Sequence, residues 1–409
     1  MVNQVMKILE INSVCGIRST GRICTDIAEL AIQHGYECKI AYGREEVPEK
    51  YQNISYKICS KASVYSHALF ARSLGNSGFF SAKSTDRFIK WIEDYDPDIL
   101  HLHNLHGYYV NVEKLFNYIK KNKKPVIWTL HDCWPFTGHC SYFTAVGCEE
   151  WRKGCQKCKN IKQYPSCMGI ENTRRLFDRK KTVFTGVENM VIVTPSYWLK
   201  SLVKESFLNE YPVKVIPNGI DLKVFKPSES KNKARITDKS IVLGSASSWS
   251  KNRGLDDFIQ LNKLLDEKYQ IVLVGLTKKQ IKSLPYGILG LERTNSMSEL
   301  ATIYSQADAL LNLTYEDNFP TINLEALACG TPVITYNTGG SGESINSTCG
   351  RVVATGDING VVKALTEMPK DEILQEKCVI QAQHYDKWRC FDEYIDLYRK
   401  LLLNGEKDV

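Results

Sequence analysis

Residues 315–340 read YEDNFPTINLEALACGTPVITYNTGG, and the run directly before them is ALLNLT. ALLNLT and the later PVITY are apolar and rich in branched residues, which is typical of strands buried on both faces. Between them lies a helical segment that begins near Pro320, which suits a first helical position because its missing N–H needs no partner there. A strand, a helix and a second strand in this order predict a parallel sheet of the α/β class.

The same alternation continues in both directions along the chain. Further strands are expected at VMKILEI, CKIAYG, DILHLH, VIWTL, MVIVTP, IVLGSAS and QIVLVG. Helices are expected at Thr25–Gln33, Val112–Lys121, Leu255–Leu265 and Met297–Gln306. At 409 residues the chain is too long for one core, and two domains of about 200 residues fit best.

The polar, charged segment SESKNKARITDKS lies between the two halves and has no apolar periodicity, as expected of a linker. We predict an N-terminal domain over residues 1–210, with a cysteine-rich insertion at about 133–167, and a C-terminal domain over residues 211–383. Residues 384–409 are expected to form an amphipathic helix that packs back toward the N-terminal domain.

The loop and the helix start inside residues 315–340 predict a binding site. In α/β sheets, ligands bind outside the carboxyl ends of the strands, and the free N–H groups of a helix start suit a diphosphate. Glu325, one turn into the helix, is placed to accept hydrogen bonds from two ribose hydroxyls, and either Asp317 or Glu316 to hold sugar hydroxyls. The alternative is a helix start in an ordinary α/β core.

Composition excludes several classes of protein. With 43% hydrophobic and 24% charged residues, the chain is expected to be a soluble globular protein. The sequence contains no run of about 18 apolar residues, so no membrane-spanning helix is expected. The segment VMKILEINSVCG carries Lys7 and Glu10 and is interpreted as a first strand rather than a signal peptide, so we expect a cytoplasmic protein.

Basic residues concentrate in one segment. Residues 151–200 hold 11 Lys or Arg against 3 Asp or Glu. This segment either faces anionic headgroups of the inner membrane or phosphates, or forms a solvated helix face. Nucleic acid is not an expected partner, because no nucleic-acid-binding signature accompanies the charge. The basic residues that cluster most closely are Arg174, Arg175, Arg179, Lys180 and Lys181.

Six of the fourteen cysteines fall between Cys133 and Cys167. Four of them include a CxxC pair and either hold a structural zinc ion or are reduced and unliganded. His139 and Cys167 are possible substitute ligands. The four predicted ligands are Cys140, Cys148, Cys155 and Cys158.

The run from Glu316 to Gly340 resembles the donor-site motif of the retaining glycosyltransferases of family 4. These enzymes have the GT-B fold, in which two Rossmann-like parallel-sheet domains face a central cleft. Further segments resemble bacterial transferases of the colanic-acid and O-antigen kind: STGRICTDIAEL, AYGR, DILHLHNLHGYYVNVEKLF, VIWTLHDCWPFTGHCSYF, GCEEWRKGCQKC and VIPNGIDLKVFKP.

The resemblance implies a retaining transfer of sugar from a nucleotide-diphosphate sugar to a saccharide acceptor, expected to be lipid-linked, in the synthesis of a bacterial surface polysaccharide. It implies that catalysis requires no cofactor, since basic side chains and backbone amides usually stabilise the leaving diphosphate in this family. Peripheral contact with the inner membrane is part of this hypothesis. The alternatives are another GT-B chemistry, such as an epimerase or phosphorylase, and a catalytically inactive binding module.

Specific residues match the family motifs. His131 in WTLHD matches a histidine that lies beside the donor sugar, although a lone histidine is more often structural. Arg253 matches a lysine that contacts the diphosphate, and Lys251 is expected to assist it. The second cation that the family often has is replaced by Ser247.

Two loops complete the expected donor site. Asn318 and Phe319 follow the acidic pair in the motif and are expected to bind the donor. In the first domain, the residues from Gly16 to Gly21 are expected to form a loop whose backbone amides meet the diphosphate. The histidines of DILHLH receive no role, because strand alternation would bury two of them together.

Overall fold

The computed structural model describes residues 5–228, 236–369 and 371–405 and divides into two compact units. The first unit contains the chain up to Pro217 together with the residues from Phe391 onward, and the second runs from Asn218 to Cys390. Each unit has an apolar core of its own. Residues 229–235 of the expected linker lie outside the described residues.

The first unit is built on a parallel sheet with the described strand order β3-β2-β1-β4-β5-β6-β7. Its strands are β1 Lys7–Asn12, β2 Glu37–Tyr42, β3 Ser55–Lys57, β4 Ile99–Leu102, β5 Val126–Thr129, β6 Met190–Thr194 and β7 Val213–Val215. Its helices are α1 Arg18–Gln33, α2 Lys61–Leu74, α3 Ala82–Tyr95, α4 Val112–Asn122, α5 Glu150–Lys153, α6 Thr173–Phe184 and α7 Tyr197–Glu205. Every residue of β4 and β5 is buried, because helices cover both faces of such a sheet.

The second unit repeats this plan with the described strand order β10-β9-β8-β11-β12-β13, again parallel. Its strands are β8 Ser240–Ser245, β9 Tyr269–Val274, β10 Ile288–Leu291, β11 Ala309–Asn312, β12 Val333–Tyr336 and β13 Gly350–Val353. Its helices are α8 Leu255–Leu261, α9 Lys278–Ser283, α10 Met297–Gln306, α11 Thr321–Ala328, α12 Ile358–Glu367 and α13 Glu372–Gln383. The two parallel sheets confirm the predicted pair of Rossmann-like domains.

The last described helix, α14, spans Lys387–Gly405, and most of it belongs to the first unit. Its Tyr398 hydroxyl lies 2.7 Å from His101 Nδ1, and its Tyr394 hydroxyl accepts a 3.1 Å bond from Thr129 Oγ1. These bonds tie the helix to β4 and to the end of β5. Among the described residues, no helix, α14 included, is both long enough and apolar enough to cross a membrane.

The expected loop from Gly16 to Gly21 is shorter than predicted. Helix α1 begins at Arg18, so Gly21 lies in its first turn and is buried. The amide of Gly16 donates a 3.0 Å bond to the carbonyl of Gly21. A backbone amide that was expected to meet the diphosphate is therefore already hydrogen-bonded within the chain. Gly21 packs closely against the loop that follows β1, because a Cβ built on it would lie 3.0 Å from Val14 Cγ2.

The basic residues of α6 do not form one surface. Lys180 is fully buried, and Arg179 pairs with Glu113 while its guanidinium stacks 4.0 Å from the ring centre of Phe79. Arg174 pairs with Asp178 on the next turn of the same helix. The helical period therefore spreads the predicted cluster over several faces.

Candidate active site

Site residues predicted in the second unit lie at the carboxyl ends of β8 and β11. These strands are neighbours, and the strand order of the sheet reverses between them. Lys251 and Arg253 stand in a short 3-10 helix after β8, and residues 316–319 follow β11. Such a reversal opens a crevice between loops, and ligands of open α/β sheets bind there.

Arg253 and Asp317 form an ion pair across these two loops. Arg253 Nη1 also donates to Thr314 Oγ1 at 3.3 Å, and the backbone amide of Asn318 donates to Asp317 Oδ1 at 2.9 Å. Both carboxylate oxygens of Asp317 are therefore engaged, and one of them orients the guanidinium. The structure thus brings together two residues that the sequence assigned to different parts of the donor.

Glu316 points to a different partner. Its Oε2 accepts a 2.9 Å bond from Asn252 Nδ2, on the same loop as Arg253. Lys251 is exposed at the start of that loop. The acidic pair is therefore divided, with Asp317 bound to the cation and Glu316 bound to a neutral amide.

Gly254 allows the two loops to approach each other. Its φ is +74°, and a Cβ built on it would lie 2.2 Å from the carbonyl oxygen of Leu313. Between the same two loops, the amide of Tyr315 donates to the carbonyl of Asn252 at 2.9 Å. Only glycine fits a left-handed position in such close backbone contact.

Helix α11 begins at Thr321 directly behind this loop, and Pro320 occupies the cap position rather than the predicted first helical position. Because proline has no side-chain oxygen, it leaves the first amides of the helix uncapped. Phe319 is buried, and its carbonyl accepts a 2.8 Å bond from Asn218 Nδ2. The loop is thereby held in place beside a helix start that no side chain caps, an arrangement that favours an anion.

Glu325 is buried on α11 and accepts a 3.1 Å hydrogen bond at Oε2 from the hydroxyl of Tyr304 on α10. Burial raises the pKa of Tyr304 well above its usual value, so its hydroxyl remains a donor. Sequence reasoning missed Tyr304, because a tyrosine inside an amphipathic helix normally indicates only packing.

A polar network fixes α11 against the sheet. Asn312, at the end of β11, donates to Asn323 Oδ1 at 2.9 Å, and Asn323 donates to the carbonyl of Ser341 at 3.0 Å. The hydroxyls of Ser341 and Thr335 lie 2.6 Å apart. All four residues are buried, so the network holds the helix rigidly beside the proposed anion site.

In the first unit, His131 follows β5 and is nearly buried, with its Nε2 lying 3.1 Å from His103 Nδ1. Burial lowers its pKa to about 4, so the imidazole is neutral at neutral pH. It is therefore suited to exchange hydrogen bonds with a sugar, and unsuited to act as a permanent cation for a diphosphate.

Sequence reasoning also missed Glu10, which lies on β1 beneath these histidines. Its Oε2 is 3.3 Å from His103 Nε2 and accepts a 2.6 Å bond from Cys24 Sγ. Burial raises the pKa of Glu10 to about 8. A carboxylate inside an apolar strand was the available signal, since such a residue needs buried partners.

Among the described His, Cys, Asp and Glu side chains, one group of three has ligand atoms that all lie within 4.8 Å of one another. It consists of Glu10, Cys24 and His103. The 2.6 Å contact between Cys24 and Glu10 is too short for both to bind one ion at about 2.0–2.3 Å in tetrahedral geometry. We interpret the group as a hydrogen-bonded cluster rather than a metal site.

The histidines in and directly after β4 are buried together, as expected from the sequence. His101 and His103 are both buried, with ring centres 4.2 Å apart. His101 Nε2 lies 2.8 Å from Thr129 Oγ1, and His106 Nε2 lies 2.7 Å from Asp132 Oδ2. These contacts satisfy polar groups inside the first unit.

The four cysteines predicted to bind zinc line one cavity in the insertion after β5, together with His139. Cys167 is turned elsewhere, and its thiol donates to the carbonyl of Ile170 at 3.4 Å. The cavity-lining cysteines are Cys140, Cys148, Cys155 and Cys158.

Family models match most of the chain. The model described as Glycosyltransferase Family 4 matches residues 20–224, half of the chain, and the model described as Glycosyl transferases group 1 matches residues 227–385. The chain belongs to glycosyltransferase family 4. The site at β8 and β11 lies within the second match, and His131 lies within the first.

Individual proteins resemble this family 4 chain at low sequence identity. WcaC of Escherichia coli K12, named for glycosyl transfer in colanic acid biosynthesis, is 24% identical over 97% of this chain and 100% of its own. A Campylobacter jejuni N,N'-diacetylbacillosaminyl-diphospho-undecaprenol alpha-1,3-N-acetylgalactosaminyltransferase is 26% identical over 48% of this chain and 57% of its own. Anabaena HepE, solved in complex with UDP-glucose, superposes with a TM-score of 0.64 at 14% identity, covering 97% and 100% of the two chains.

Proposed function

We propose that this family 4 chain transfers a sugar, with retention of anomeric configuration, from a nucleotide-diphosphate sugar to a lipid-linked saccharide in the synthesis of a bacterial surface polysaccharide. The observation that carries the proposal is the cluster at β8 and β11. There, a guanidinium, an uncapped helix start and a buried carboxylate occupy neighbouring strand ends.

The diphosphate is assigned to the start of α11 and to Arg253. The helix start offers backbone N–H groups and the positive end of the dipole. Arg253 adds a planar cation, and its Nη1 donates to Asp317 and Thr314. Lys251 contributes charge from the exposed edge of the same loop. Together they stabilise the negative charge that grows on the leaving diphosphate.

Glu325 is assigned to the ribose and Glu316 to the donor sugar. Tyr304 holds one oxygen of Glu325 and so restricts the orientation of a carboxylate that pairs well with two adjacent hydroxyls. Because both oxygens of Asp317 are engaged within the loop, we assign Asp317 to positioning Arg253 rather than to contact with the sugar. Asn318 and Phe319 shape the loop between these groups.

His131 is assigned to a sugar hydroxyl as a neutral hydrogen-bonding group. The retaining outcome is supported by the resemblance of residues 316–340 to retaining enzymes. The lipid-linked acceptor and the polysaccharide product are supported by the names of the two curated relatives. Transfer is proposed to occur at the cytoplasmic face of the inner membrane.

The test combines donor binding with product analysis. Thermal-shift screening against a panel of nucleotide sugars should show stabilisation by at least one of them. Glu325→Gln should weaken binding of that donor by about 10–100-fold, since hydrogen bonds to charged groups contribute about 1.5–3 kcal/mol. Glu376→Gln, at an exposed glutamate of α13, is the matched control and should bind normally.

Product analysis then separates the alternatives. Proton NMR of the glycoside formed on a lipid-linked acceptor should show the anomeric configuration of the donor sugar. An inverted product, or an epimerised donor without transfer, would replace the proposal with another chemistry. A chain that binds none of the nucleotide sugars would favour the inactive binding module.

A further inference from the structure

The insertion between β5 and α6 contains a cavity whose walls carry four thiols. Cys140 and Cys155 are buried, and Cys148 and Cys158 are partly exposed. The thiols of Cys140 and Cys158 are hydrogen-bonded to each other. Four sulfurs around one cavity, two of them in a CxxC pair, are the donor set that zinc prefers in structural sites.

Backbone amides already point at these sulfurs. The amide of Gly138 donates to Cys155 Sγ at 3.2 Å, and the backbone of Asn160 hydrogen-bonds to Cys158. Such bonds favour the thiolate over the thiol, because a charged acceptor binds a backbone N–H more strongly than a neutral one. The backbone therefore supplies a hydrogen bond to two of the four sulfurs, Cys155 and Cys158.

Lys180 supplies a second, independent observation. Its ammonium is fully buried, donates to the carbonyls of Trp134 and Thr137 at 2.8 and 3.2 Å, and lies 3.7 Å from the ring centre of Trp134. No described carboxylate forms an ion pair with it, and its electrostatic neighbours are Cys140, Cys155 and Asp132. Burial lowers the pKa of Lys180 to about 7, and a zinc ion with four thiolates, which carries a net charge of about −2, would favour the charged form of this lysine.

His139 supplies a third observation. It is buried in the cavity wall, and among the described residues its Nε2 has no hydrogen-bond partner. The ring hydrogen-bonds instead to the backbone of Ile161 and Gln163. An unpaired buried nitrogen beside a group of thiols indicates a polar occupant of the cavity.

We propose that the insertion binds one zinc ion through the thiolates of Cys140, Cys148, Cys155 and Cys158. Binding forms four Zn–S bonds and releases the four thiol protons to solvent. No three described donor atoms of this group lie within 4.8 Å of one another, so the ion draws the sulfurs inward around the cavity. The site is structural, and it does not depend on the proposed function.

The first experiment measures metal content in the full-length protein. Protein produced with zinc in the medium and purified without chelators should contain about one zinc per chain by mass spectrometry. Serine substitution of any of the four cysteines should lower that content severalfold. Cys167→Ser is the matched control, because Cys167 is a buried cysteine of the same insertion that bonds elsewhere.

Two further measurements use wild-type protein, because a variant that fails to fold would lose zinc for that reason alone. Titration of native wild-type protein with an organomercurial should release zinc as four thiols react, and cobalt-substituted protein should show thiolate-to-cobalt charge-transfer absorption. Wild-type protein without zinc and without that absorption would overturn the proposal. Full zinc in Cys148→Ser, together with loss of zinc in His139→Gln, would overturn the four-thiolate assignment.

Discussion

Asp317 and Glu316 are neighbours in the chain but have different partners. Asp317 binds Arg253 and the amide of Asn318, whereas Glu316 binds the side chain of Asn252. In the proposed function, Asp317 orients the cation that binds the diphosphate, and Glu316 binds the donor sugar. The two acidic residues should therefore have separable effects.

We predict that Asp317→Asn weakens binding of the bare nucleoside diphosphate by about tenfold, because Arg253 loses the charge that orients it. Glu316→Gln should leave that affinity unchanged and lower the rate of sugar transfer. Calorimetric titration with the nucleoside diphosphate and steady-state kinetics with the sugar donor measure the two effects. Equal losses of nucleotide affinity in both variants would contradict this division of roles.

Glu10 should make stability depend on pH. Its pKa is raised from 4.5 to about 8 in the folded protein, so the folded state holds a proton that the unfolded state releases. Its stabilising effect is present below pH 4.5 and is lost as the pH rises through 8. The thiols of Cys24 and Cys38 stay protonated over this range, because burial raises their pKa values, and burial keeps His103 neutral.

We predict that, between about pH 6.5 and 8, the wild-type free energy of unfolding falls relative to that of Glu10→Gln by about 1 kcal/mol per pH unit. Urea denaturation at three pH values in this range measures the difference, and Glu376→Gln serves as the exposed control. Parallel pH profiles for the wild type and Glu10→Gln would show that Glu10 does not titrate in this way.

The turn between β8 and α8 depends on Gly254 for its approach to β11. We predict that Gly254→Ala destabilises the second unit by about 3 kcal/mol or more, since a left-handed alanine costs about 1–2 kcal/mol and the clash with the Leu313 carbonyl adds to it. Gly356→Ala is the control, because its φ of +81° is similar and its nearest atom lies at an ordinary 3.4 Å. Chemical denaturation measures the free energy of unfolding of both variants. Equal losses in the two would show that the close approach of Gly254 to Leu313 is unimportant.

Several elements follow from local pattern and others do not. Helix α10 spans Met297–Gln306 as predicted, with Ser296 Oγ accepting the amide of Glu299, although the Glu299 carboxylate bonds to the amide of Asn295 rather than that of Ser296. Strand β3 has only three residues, none of them buried, and sequence reasoning missed it. Helix α2 was also missed, because exposed Tyr65, Leu69 and Phe70 blur its periodicity.

Because each unit has its own apolar core, the protein is expected to unfold in two steps. The donor should raise chiefly the step of the second unit, to which its diphosphate and ribose are assigned, by about 2.7 kcal/mol at 100 times its dissociation constant. Leu310→Ala, in the second core, should lower that step by about 2–5 kcal/mol, and Leu100→Ala, in the first core, should lower the other step. Scanning calorimetry with and without the donor measures both. A single transition that both variants shift equally would contradict the prediction.

Short-range signals were sufficient for the class of fold and for one wall of the site. Apolar runs alternating with helical segments predicted two parallel sheets, and the spacing from Pro320 to Glu325 predicted a helix start with a carboxylate one turn inside it. Both depend on residues within a few turns of one another, where backbone geometry links sequence distance directly to spatial distance.

Contacts between distant strand ends required the folded chain. Arg253 reaches Asp317 across 64 positions and Tyr304 reaches Glu325 across 21, because the sheet order places β8 beside β11 and α10 beside α11. The burial of Lys180, and hence the dispersal of its basic neighbours, likewise depends on packing. Periodicity identifies the elements of a parallel sheet, but strand order and side-chain packing decide which polar groups meet, and neither is encoded in local spacing.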